Sequence, residues 1–177
     1  MVYNICIIEK KGNKYMKIAV YPGSFDPISN GHLDIIERTS KVFDKVYVLI
    51  SVNPNKEYMF SVKEKEEMIK KATTHIKNVE VEAYDGLVLD YAKLKGASVI
   101  IRGLRNFIDY QDEITLFQFN RSIDENIDTF VLFPSANNLF LSSSAIKQLV
   151  KLNADISKYV PECLKDEIEA KIKERTK

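Results

Sequence analysis

The amino-acid sequence predicts an α/β domain: a doubly wound sheet of five parallel strands with helices on both faces. Three observations predict it. Short apolar runs alternate with helical patterns almost throughout the chain. The runs are nearly continuous in Val, Ile and Leu, as in Val46-Tyr47-Val48-Leu49-Ile50 and Val99-Ile100-Ile101, which is how strands buried on both faces read. The segments between them carry caps and i, i+4 apolar spacing, so each strand reaches the next through a helical, right-handed crossover.

The strands are expected at 17–21, 45–51, 79–83, 98–102 and 129–133. The first helix begins near Asn30, with Leu33, Ile36 and Phe43 on one face. Ser61 and Glu64 form an S-x-x-E capping box that opens a helix burying Met68, Ile69 and Ala72. A third helix, 87–95, ends at Gly96, a left-handed C-cap. The stretch 109–123 turns Ile114 and Phe117 inward. Three serines start 142–152, which carries Ile146, Leu149 and Val150. Pro161 opens a last helix with Leu164, Ile168 and Ile172 at i, i+4, i+8. Residues 1–15 form an extension before the domain, which spans 16–177 including the C-terminal helix, and Met16 offers an alternative start.

Composition narrows the function classes. At 177 residues, 45% hydrophobic and 29% charged, the chain suits one soluble domain. A formal net charge of +1 provides no basic field for nucleic acid. Cys6 and Cys163 belong to no C-x-x-C pair, which argues against a zinc site or disulfide framework and fits a cytoplasmic setting. No apolar run approaches the ~20 residues of a membrane span. The apolar stretch 2–8 lacks a basic flank before it and meets Glu9-Lys10-Lys11 after it, unlike a signal peptide.

In doubly wound sheets ligands bind beyond the carboxyl ends of the strands, and the residues there are informative. After the first strand come Gly23-Ser24-Phe25-Asp26 and then His32 at a helix start, a place where backbone N–H groups and the helix dipole suit a phosphate. The pattern is neither a dinucleotide fingerprint nor a P-loop, and an ordinary turn is its alternative. Lys56 follows the second strand and Asp85-Gly86-Leu87-Val88 the third. Arg102-Gly103-Leu104-Arg105 follows the fourth, with two guanidiniums able to fork onto phosphate or to pair with Asp109, Asp112 or Glu113. Ser142-Ser143-Ser144, with Lys147 one turn on, makes either a plain N-cap or an anion site. No Ser–His–Asp arrangement and no cluster of metal ligands is visible. The chemistry implied is electrostatic and positional, as in phosphoryl or nucleotidyl transfer.

At these residues the chain resembles the bacterial phosphopantetheine adenylyltransferases, a family of the nucleotidyltransferase superfamily marked by a T/H-x-G-H signature. The signature here is Ser29-Asn30-Gly31-His32, and the likeness runs from Met16 to about Ala170. The resemblance implies a Rossmann-like nucleotidyltransferase fold and adenylyl transfer from ATP to 4′-phosphopantetheine. Dephospho-coenzyme A and pyrophosphate are the products, with magnesium accompanying ATP. It implies catalytic roles for His32, Lys56 and Arg105. ATP would be held by Ser24, Phe25, His32, Gly103, Leu104, Arg105, Glu113, Asn138, Leu139, Phe140, Leu141, Ser142, Ser143 and Ser144. The acceptor would be held by Ser24, Lys56, Arg102 and Val88, the last standing where relatives often have a bulkier residue. It further implies a homo-oligomer, a hexamer, and feedback inhibition by coenzyme A, whose pantetheine arm would occupy the same pocket. Two other readings use the same residues. One is a nucleotidyltransferase of this fold using CTP or a nicotinate nucleotide acceptor, which Arg-Gly-Leu-Arg disfavours. The other is a non-catalytic nucleotide-binding module, which His32, Lys56 and Arg105 disfavour.

Overall fold

A computed structural model describes residues 16–52 and 56–176. The expected extension 1–15, Cys6 and residues 53–55 lie outside the described residues. Strands β1 (Ile18–Gly23), β2 (Lys45–Ser51), β3 (Val79–Tyr84), β4 (Val99–Gly103) and β5 (Asp128–Leu132) alternate with the first helices. These are α1 (Asn30–Ser40), α2 (Val62–Ala72), α3 (Val88–Leu94) and α4 (Phe107–Ile123), with α5 (Ser143–Lys151) and α6 (Lys165–Glu174) closing the domain. The five strands run parallel in the order β3-β2-β1-β4-β5. Strand order therefore reverses between β1 and β4, where a doubly wound sheet opens its crevice. Registered pairing of these two strands stops at Val20 and Ile100, so Tyr21–Gly23 and the end of β4 part to form its walls.

Alternation along the strands builds two apolar layers. Ala19, Tyr21, Val46, Val48, Ile50 and Ile101 face α1, α2, α5 and α6, where they meet Ile36, Met68, Ile69, Ile146, Val150, Ile168 and Ile172. Val20, Leu49 and Ile100 face the other way and pack on Leu89, Tyr91 and Ala92 of α3. Helix α6 is largely charged, yet Ile168 and Ile172, with Leu164 just before the helix, are fully buried. At about 1.5–3 kcal/mol for each such side chain, that stripe is enough to dock it.

Local signals formed as expected at most element ends. Ser61 and Glu64 make both bonds of a capping box, and Gly96 takes φ +65° just beyond α3. Two expectations on helix faces are corrected. In α1 the buried face is Ile35, Ile36 and Thr39, and Phe43 lies past the helix end. In α4 none of the described residues is buried: Ile114 is 39% exposed, and Phe107, Ile108, Leu116, Phe119 and Ile123 are more exposed still. This helix is apolar around much of its circumference, so periodicity could not single out an inward stripe.

The turn after β1 is packed to contact. Phe25 takes φ 45°, an uncommon conformation for a bulky side chain. Its ring sits edge-on to both Tyr21 and His32, at centroid distances of 5.6 and 5.1 Å. A Cβ on Gly23 would stand 2.8 Å from the tip of that ring. We expect Gly23→Ala to destabilise the domain by about 1–3 kcal/mol through overpacking, read as a lower midpoint of urea unfolding at an unchanged m-value.

Candidate active site

A cavity of about 340 Å³ occupies the switch point between β1 and β4. Its walls are Tyr21, Gly23, Ser24, Ser29, Gly31 and His32 on one side, and Arg102, Gly103, Arg105, Asp109, Asp112 and Glu113 on the other. Pro134, Asn138, Leu141, Ser142, Ser143 and Ser144 close it. The N-termini of α1 and α5 thus converge on one space, and both bring the positive end of a helix dipole to it.

His32 is fixed by the helix it opens. Ser29 is the N-cap of α1, and its hydroxyl accepts from the His32 backbone N–H at 3.3 Å. In return the Ser29 N–H donates to His32 Nδ1 at 3.1 Å. The pair is a capping box in which imidazole takes the place of the usual carboxylate. Because Nδ1 accepts from a backbone amide, the ring proton resides on Nε2. Nε2–H has no protein partner among the described residues and belongs to a side chain that lines the cavity. Burial, with the nearby Arg105 charge, lowers the His32 pKa to about 4. The imidazole at neutral pH is therefore an uncharged hydrogen-bond donor.

The two arginines of the β4–α4 segment are both held by carboxylates. Arg102 makes a two-point contact with Glu113, with its Nε 2.6 Å from Oε2. Arg105 forks onto Asp109 from Nε and Nη2, at 3.0 and 3.1 Å, and reaches the Leu141 carbonyl from Nη1 at 3.1 Å. The ion pairing weighed as an alternative to ligand binding is thus present, and both guanidiniums still line the cavity. Burial alone would raise the Asp109 pKa, but its bonds from Arg105 outweigh that and hold it below the usual carboxylate range. Tyr21 is buried beside the same arginines, and loss of hydration dominates, raising its phenol well above the ordinary value.

The three serines divide their work. Ser142 caps α5 by accepting from the Ala145 N–H, and Ser143 donates to the Pro27 carbonyl at 2.8 Å. The Ser144 hydroxyl is exposed at the rim and has no protein partner among the described residues. Lys147, expected to serve the same anion site, instead grips the buried Asp26 at 2.8 Å. The segment after β5 is tied down by α1. Asp34 accepts from the Ser135 backbone N–H and hydroxyl, and Arg38 donates to the Phe133 carbonyl at 2.7 Å.

The structure brings together Ser24, His32, Arg102, Gly103, Arg105, Glu113, Asn138, Leu141, Ser142, Ser143 and Ser144 in this cavity. Leu139 and Phe140 line a neighbouring groove with Arg105 and Ser144. Phe25 and Leu104 are buried behind the wall. Lys56 is exposed outside it, and Val88 packs against the α3 core layer. Sequence reasoning passed over Tyr21, Asp26 and the capping role of Ser29. The Ser29-x-x-His32 spacing was the available signal for the last.

A folded-state pKa below the ordinary value of 6.5 means that protons favour the unfolded chain between the two. The stability that neutral His32 contributes is complete above about pH 6.5 and is lost as pH falls toward 4. Imidazole NMR titration of a His75→Gln chain is expected to show a His32 midpoint near pH 4. A midpoint near 6.5 would overturn the neutral-donor assignment.

Residues 20–149 match the cytidylyltransferase-like family model. A phosphopantetheine adenylyltransferase from Nautilia profundicola is 45% identical over 149 residues, covering 84% of this chain and 97% of that protein. One from Clostridium botulinum (strain Eklund 17B / Type B) is 49% identical over 146 residues, covering 82% and 92%. The fold also matches a crystal structure from Vibrio parahaemolyticus described under the name nicotinate-nucleotide adenylyltransferase. That match has a TM-score of 0.63 and 20% identity, over 88% of this chain and 96% of that one. With a parallel sheet opened at its switch point and relatives of this identity over most of their length, the chain belongs to the cytidylyltransferase-like family, among the phosphopantetheine adenylyltransferases.

Proposed function

We propose that this enzyme transfers the adenylyl group of ATP to 4′-phosphopantetheine, giving dephospho-coenzyme A and pyrophosphate. A phosphate oxygen of the acceptor attacks the α-phosphorus in line. The new P–O bond forms as the bond to the β-phosphate oxygen breaks, and no covalent enzyme intermediate intervenes. The observation that carries this reading is the pre-set Nε2–H of His32 at the cavity wall. An uncharged donor held by backbone needs no reorganisation as charge develops on the α-phosphate. Arg105 and Lys56 complement it on the α-phosphate and the pyrophosphate. Ser24 serves both substrates, and Arg102 and Val88 serve the pantetheine side. The nucleotide side is Phe25, Gly103, Leu104, Glu113 and residues 138–144.

Charge on the cavity wall supports a role for magnesium. Two guanidiniums there face the carboxylates of Asp109, Asp112 and Glu113, so the wall by itself does not neutralise a triphosphate. Among the described residues no group of three His, Cys, Asp or Glu side chains could cage an ion. Magnesium would be carried by the nucleotide phosphates and water, with Asp112 as a nearby carboxylate. When bound it supplies positive charge to the polyphosphate. Among the described residues no helix is long and apolar enough to cross a membrane, and we place the enzyme in the cytoplasm. Coenzyme A, sharing the product's pantetheine arm, is the feedback inhibitor in this reading.

Helix α4, with its exposed apolar residues, lies against the edge strand β5, where Phe130 and Val131 are exposed as well. A surface of that extent is normally covered, and we assign it to copies of this chain assembled as a hexamer. Sedimentation analysis should return six times the chain mass, and Phe119→Glu should shift it to smaller species. A monomeric wild-type chain would refute the assembly.

His32→Ala should keep the fold and lower turnover at least ~10²–10³-fold, as loss of one preorganised donor does. Near-wild-type turnover would remove the assigned role. A pyrophosphate-release assay crossing ATP and CTP with phosphopantetheine and nicotinate mononucleotide tests the substrates. Release is expected with ATP and phosphopantetheine; preference for another pair would replace the reading.

A further inference from the structure

Two successive peptide units just after Lys56 are each held at both polar groups. The Met59 and Phe60 N–H groups donate to the two oxygens of Asp26 at 3.0 and 2.9 Å. From the other side Arg175, the residue following α6, donates from Nη1 to the Tyr58 and Met59 carbonyls at 2.8 and 3.1 Å. The unit joining 58 to 59 thus has its carbonyl on a guanidinium and its N–H on a carboxylate, and so does the unit joining 59 to 60. Hydrogen bonds to charged partners are shorter and stronger than neutral ones, and bonds at both ends of a peptide fix its plane. Lys65 adds a third contact. Its ammonium lies 3.8 Å from the centre of the Tyr58 ring, is wholly buried and has no hydrogen-bond partner among the described residues.

The clamp is built next to the reaction space. Tyr58, Met59, Lys147 and Arg175 line a groove that shares Ser144 with the main cavity. Asp26 belongs to the same turn as Ser24 and Phe25. Arg175 itself is exposed, while its helix is anchored by the buried Ile168 and Ile172. The guanidinium therefore projects from a fixed base and carries little of the core.

We propose that Arg175 is a positioning residue for the reaction: by fixing residues 58–60 from the C-terminal helix, it sets the place of Lys56 relative to the cavity. The inference rests on the charge-neutralising role given to Lys56 above. Loss of the guanidinium would remove the charged donor from the 58 and 59 carbonyls, and the lysine two residues away would sample more positions. Misplacement on that scale costs rate more than binding.

Steady-state kinetics on the full chain test it with Lys56→Ala, Arg175→Ala, Arg175→Lys and the Lys56→Ala/Arg175→Ala pair, alongside melting temperatures. Lys56→Ala is expected to lower kcat about 10²-fold or more. Arg175→Ala is expected to lower kcat about tenfold with KM for ATP within about twofold, and Arg175→Lys to recover part of the loss. The double variant should be no slower than Lys56→Ala alone, because the arginine acts through the lysine. Wild-type kcat in Arg175→Ala, a change confined to its melting temperature, or losses that multiply in the double variant would each overturn the inference. Wild-type kcat in Lys56→Ala would instead overturn the role of the lysine, and the inference with it.

Discussion

The buried carboxylate of Asp26 is the constraint on which the site depends. It is 4% exposed and accepts from two backbone N–H groups and from the Lys147 ammonium. One side chain thereby joins the turn after β1, the segment entering α2 and the second turn of α5. A buried charge is tolerated only where it is paired and hydrogen-bonded, and here two backbone donors and an ammonium share that compensation. The same turn also holds the strained Phe25 and, through the Pro27 carbonyl, the Ser143 hydroxyl. Two segments that line the cavity and a third that lines the adjoining groove are held in fixed relation because they share this anion.

Around that hub the cavity presents helix dipoles and a neutral donor beside arginines already paired with carboxylates. His32 is uncharged because it is buried near Arg105, and its proton is on Nε2 because a backbone amide occupies Nδ1. The arginines are likewise set in place by carboxylates on α4, so their orientation does not await a ligand. Helix α4 therefore combines an exposed apolar surface with Asp109 and Glu113, the carboxylates that align both guanidiniums. Disturbing α4 at that surface would reach the cavity wall through two ion pairs.

How far the chain could be read from its residues differed by element. Strands stood out where apolar runs such as 46–50 are short, rich in β-branched and aromatic residues and too brief for a helix buried all round. Gly96 and the Ser61–Glu64 box marked helix ends because capping is a local matter. The apolar face of α4 was not legible, since its side chains meet no core and no stripe had to be selected. Lys147 shows the same limit at the site. One turn into a serine-capped helix it has the position of an anion ligand, and only the fold reveals that Asp26, 121 residues away, claims it.

The sequence alone determined the five parallel strands, their alternation with helices and which cations and hydroxyls follow each strand, because periodicity and capping act over a few residues. It also carried the motifs that identify the family. The tertiary structure decided which of those groups share one cavity and in what state. The tautomer and charge of His32, the pairing of Arg102 and Arg105, and the division of labour among the three serines follow from contacts across the fold. So does the clamp on residues 58–60, made by an arginine more than a hundred positions away. Burial and long-range partners set protonation and orientation, and neither is written in local spacing.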